Sequence, residues 1–128
     1  MKLKALIHVN EAARWEIALG NIANLLKAAG EDDVEIVLVA NGDGVNGYVA
    51  HGRNGPKKGA CSIDMDMTDR ISTMTALSKK GISFLACRNA LAAQNISLDD
   101  LPQFVTVVPA GMVQLIKLQD QGFAYIKP

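Results

Sequence analysis

Gly81-Ile82-Ser83-Phe84-Leu85-Ala86-Cys87-Arg88-Asn89-Ala90 changes character halfway along. Ile82 to Ala86 is a short apolar run, the pattern of a strand covered on both faces. From Cys87 to Gln94 the spacing predicts a short helix. A strand that feeds a helix at once is half of a βαβ unit and predicts a parallel sheet. Cys87 stands at the seam. Free backbone N–H groups at a helix start create an electropositive setting that favours thiolate, the nucleophilic form of cysteine. The alternative is plain packing, because free cysteine is among the most buried residue types.

Working outward, the same alternation fills the chain. Leu3 to Val9 is the first strand, and Asn10 can cap a helix whose apolar face runs Trp15, Ala18, Leu19, Ile22, Leu25 and Leu26 before Gly30 stops it. Val34 to Val39 is a second, nearly all-apolar strand. Thr68 is the expected cap of a helix carrying Ile71, Met74 and Leu77 and ended by Lys79-Lys80-Gly81. Ser97-Leu98-Asp99-Asp100-Leu101 reads as one capped turn, Val105 to Val108 as a fourth strand and Phe123 to Ile126 as a fifth. Pro109 leads into a helix bearing Met112, Leu115, Ile116 and Gln119, with Gly122 at its end. The expectation is one domain over residues 1–128, a three-layer α/β/α fold with a five-stranded, mostly parallel sheet. Trp15 and its aliphatic neighbours, like Met112, Leu115 and Ile116, read as core or subunit contact. Met65 and Met67 read as a contact between copies.

Composition excludes several classes of function. The 128 residues suffice for one domain with a real core, and 49% of them are apolar, which rules out a disordered chain. Thirteen basic and thirteen acidic residues cancel, so no basic surface for nucleic acid is implied. Neutrality leaves association between copies unopposed by long-range repulsion. Two cysteines, Cys61 and Cys87, make no disulfide framework. The apolar start is too short for a membrane span and lacks a leader's cleavage site, so a cytoplasmic protein with no membrane partner is expected.

In open parallel sheets, ligands gather beyond the carboxyl ends of the strands. The residues leaving those ends are His8-Val9-Asn10, Asn41-Gly42-Asp43, Cys87-Arg88-Asn89 and Pro109-Ala110-Gly111, which should share one rim. Asn10, Asn41, Gly42, Arg88, Asn89, Pro109 and Gly111 are therefore candidate ligand-binding residues around Cys87. Arg88 could hold an anion or lower the thiol pKa, or be a solvated first-turn residue. His8 reads as a satisfied core histidine that also ends near the rim. His51 lies in a glycine-rich stretch, about 41–60, expected to be a flexible loop with a short helix through Val45 to His51. Cys61 could resolve an oxidised Cys87 or be incidental. Asp64, Asp66 and Asp69 should complement a helix N-terminus rather than hold a metal, and neither histidine has a partner at ligand spacing, so no metal site is expected. Gly42-Asp43-Gly44-Val45-Asn46-Gly47 matches G-x-G-x-x-G, yet it follows the second strand and opens no long helix, which counts against a nucleotide. No cofactor is implied.

The segment Gly81 to Gln94, with Cys87-Arg88-Asn89-Ala90-Leu91 after a small-apolar strand, resembles the DsrE/DsrF-like family. So does the ending Val107-Val108-Pro109-Ala110-Gly111-Met112-Val113-Gln114-Leu115-Ile116 followed by Gly122-Phe123-Ala124-Tyr125-Ile126-Lys127-Pro128, which is similar to a branch of small stand-alone bacterial and archaeal proteins. The resemblance implies a three-layer fold assembled into trimers or hexamers. It implies that Cys87 carries a persulfide, as a sulfur carrier or transferase without a general acid/base pair, and that a sulfur donor or acceptor protein is a partner. The alternative is a non-catalytic homo-oligomeric module that binds a small ligand.

Overall fold

The computed structural model describes residues 2–49 and 61–128, with the side chains of all but 61–68. Its five strands are β1 (Leu3–Val9), β2 (Val34–Ala40), β3 (Ser83–Cys87), β4 (Val105–Val108) and β5 (Ala124–Ile126). They lie in the order β4-β3-β2-β1-β5, and all four pairings are parallel. The helices are α1 (Trp15–Ala29), α2 (Cys61–Lys79), α3 (Arg88–Ala93) and α4 (Gly111–Asp120). The three-layer α/β/α expectation holds, with a sheet that is wholly parallel.

Strand order decides where each helix lies. From β1 through β4 the chain steps one strand at a time in one direction, and then α4 carries it back across the sheet to β5 beside β1. Parallel crossovers are right-handed, so reversing direction reverses the face on which the helix packs. The buried side chains divide accordingly. Ala5, Ile7, Val9, Ile36, Leu38 and Ala40 pack with Trp15, Ile22, Met74 and Leu91, whereas Leu6, Val37 and Val39 pack with Leu115, Leu118 and Phe123 of α4 and its exit. Alternation along each strand produces this division, because successive side chains point to opposite faces. α3 leaves β3 on one face, and α4 leaves the neighbouring β4 on the other. The carboxyl ends of β3 and β4 therefore flank a topological switch point, where open α/β sheets bind their ligands.

Three local expectations are corrected. Asn10 does not cap α1. A 3-10 turn, Ala12–Arg14, precedes α1, and its first N–H, that of Ala12, is taken at 2.8 Å by Oδ2 of Asp43 from the end of β2. α2 starts at Cys61 rather than after Thr68, so Asp64, Asp66 and Asp69 lie inside it rather than ahead of it. Polar Asp, Ser and Thr between the apolar positions had masked its first two turns. Gly42–Tyr48, the first part of the stretch expected as a loop, is a 3-10 helix, whereas 50–60, including His51, lie outside the described residues. Ser97 does cap its turn, accepting the Asp99 N–H.

The Gly42–Tyr48 helix explains its own glycines. A Cβ on Gly44 would run into the Val9 carbonyl, and one on Gly47 into the Trp15 indole. The indole Nε1–H donates to the Gly44 carbonyl at 2.7 Å. Close packing of Gly44 on the Val9 carbonyl and of Gly47 on the Trp15 indole, with a φ of +52 at Gly42, accounts for a glycine at each position of the G-x-G-x-x-G spacing. Tyr48 is fully buried against Trp15 and Phe84, and its hydroxyl donates to the Leu85 carbonyl at 2.8 Å. That burial pushes the phenol well above its ordinary pKa.

Candidate functional site

Cys87 is the last residue of β3 and the N-cap position of α3, with φ −72 and ψ 120. Its side chain makes no capping hydrogen bond, so the first N–H groups of α3 carry no side-chain acceptor from that position. The start of α4 lies alongside. A Cβ built on Gly111 would lie 3.3 Å from the Cys87 Cβ, 3.2 Å from the Asn41 Cβ and 3.5 Å from Asn41 Nδ2. Glycine at that position is what lets the ends of β2 and β3 and the start of α4 meet. The N-cap of α4, Ala110, offers no side-chain acceptor either, so the positive end of a ten-residue helix opens at this point.

Asn41 is fixed from three sides. Its N–H donates to the Val9 carbonyl at 3.1 Å, its own carbonyl accepts the Gly44 N–H at 2.9 Å, and its Oδ1 is 2.8 Å from His8 Nε2. An amide oxygen can only accept, so Nε2 of His8 carries the proton. Nδ1 of the same ring is paired with the Tyr125 hydroxyl at 2.6 Å. His8 is 8% exposed, the buried and satisfied histidine that its strand position implied, and its two partners come from β5 and the end of β2.

The candidate rim thus comes together in part. Asn41, Cys87 and Gly111 are in contact, with His8 joined to them through Asn41. Gly42 packs on the Asn10 backbone, 3.4 Å from its carbonyl oxygen to a built Cβ, one strand end away from Cys87. Arg88, Asn89 and Pro109 flank the thiol as exposed residues. Cys87 itself is 7% exposed and belongs to the core on the α1–α3 face. Cys61 opens α2, and its side chain is outside those described.

Two roles escaped the reading of the sequence, that of Tyr125 and that of Asp43, which entered it only within the strand-end stretch Asn41-Gly42-Asp43. Tyr125 reaches His8 because β5 pairs with β1, with Tyr125 in register with Leu6 two residues before His8. Asp43 holds both Ala12 N–H and, through Oδ1, the Asn46 amide at 3.0 Å. Each depends on strand order or on a turn between two strand ends, neither of which a local pattern contains. Among the described residues no group of three or more His, Cys, Asp or Glu could hold a metal ion, and no helix is long and apolar enough to cross a membrane.

The model of the DsrE/DsrF-like family matches residues 4–128. Among solved structures, the protein of unknown function MTH1491 from Methanobacterium thermoautotrophicum superposes with a TM-score of 0.74 at 28% identity, over 99% of this chain and 100% of that one. No curated protein matches. With the match running through every strand and helix described above, this chain belongs to the DsrE/DsrF-like family.

Proposed function

We propose that this protein carries sulfur as a persulfide on Cys87, a sulfur-relay-like role. The observation that supports it most is the placement of Cys87, at the end of β3 on the switch point, beside the uncapped start of α4 and the amide of Asn41. A thiolate there attacks the outer sulfur of a donor persulfide, R–S–SH. A bond forms between the Cys87 sulfur and that sulfur as the donor's S–S bond breaks, and the electron pair leaves on RS⁻. An acceptor thiolate reverses the sequence, taking the outer sulfur and releasing Cys87 as thiolate. Nothing is oxidised or reduced overall, and no general acid/base pair is needed. The cytoplasm, where thiols stay reduced, suits this chemistry.

Loading a Cys61→Ser variant with a small alkyl persulfide tests it. Intact mass should show one added sulfur, peptide mapping should place it on Cys87, and a second thiol should remove it. A Cys87 that stays unmodified while the donor is consumed by control thiols ends the proposal.

The burial of Cys87 favours a second reading, a homo-oligomeric small-ligand module in which the thiol only packs. A Cys87→Ser protein with unchanged cellular effect would select it. Either reading takes a second copy as partner. Met112 and Ile116 of α4 are each 62% exposed and Val113 is 46% exposed, leaving an apolar stripe on the outer side of the layer that a single helix provides.

A further inference from the structure

We draw no further inference here: the strongest candidate, the exposed apolar outer face of α4 formed by Met112, Val113 and Ile116, carries nothing because nothing in the structure shows what covers it.

Discussion

Gly111→Ala is a one-methyl wedge driven into the candidate site. The added Cβ would meet carbon at 3.2 Å on Asn41 and 3.3 Å on Cys87, closer than the 3.5–4.0 Å at which carbon atoms pack best. Gly111 is the first residue of α4 and does not need a positive φ, so the backbone itself accepts alanine there. Lower entropy of the unfolded chain then favours the variant by about 0.4–1 kcal/mol. Overpacking opposes it by about 1–3 kcal/mol. The second effect wins, for a net loss of about 1 kcal/mol, or about 4 °C in Tm for a domain of this size. Gly20→Ala is the control: it lies within α1 with nothing within 4 Å of its Cβ, so the entropic gain comes unopposed. The difference between the two melts isolates the contact. Cys87 alkylation, measured on the same samples, reports whether the wedge reaches the thiol, and it should change in Gly111→Ala alone. Equal stabilisation of both variants, with Cys87 reacting as in the parent, would show that the three elements do not meet as described.

Tyr48→Phe removes the hydrogen bond to the Leu85 carbonyl and should lower stability by about 0.5–1.5 kcal/mol at neutral pH. Because burial raises the Tyr48 pKa in the folded state, its contribution is intact below about pH 10 and declines above it, by up to about 1.4 kcal/mol per pH unit. Urea denaturation between pH 9 and 11 should therefore be less steeply pH-dependent in Tyr48→Phe than in the parent, and parallel curves would contradict the burial. Asp43→Ala should lose about 1 kcal/mol as the Ala12 N–H loses its acceptor, and Asp43→Asn should recover part of it; equal urea midpoints for all three proteins would rule out that cap. Ile116→Glu should be within about 0.5 kcal/mol of the parent as an isolated chain but should break apart an assembly formed through α4. Light scattering distinguishes the two, and a parent that is monomeric at tens of micromolar would dismiss that surface.

What could be read from the sequence was whatever is local. Ser83 to Ala93 shows its strand, its seam and its helix in eleven residues, and the seam fell within one residue of where the pattern put it. Trp15, Ala18, Leu19, Ile22 and Leu26 are all buried, as their spacing required. Met112 and Ile116 share a spacing with Leu115 but not its fate, because one helix alone covers that face of the sheet and only part of its girth can be buried. The start of α2 was hidden because its first turns carry Asp, Ser and Thr, residues that also make caps and turns. Of the candidate site, Cys87, Asn41 and Gly111 were legible as strand-end residues. Tyr125 was not, since only the return of α4 across the whole sheet brings β5 to β1.

That return crossing also accounts for why the site is where it is. If α4 had continued in the direction of α1, α2 and α3, β5 would lie beside β4, and all four helices would pack on one face. Gly111 would then leave β4 on the same side as α3, and the start of α4 would not stand against the ends of β2 and β3 at Asn41 and Cys87. Tyr125 would be four strands away from His8. A single reversal of direction thus brings the uncapped N-terminus of α4 against Asn41 and the Cys87 Cβ, and sets the Tyr125 hydroxyl beside His8.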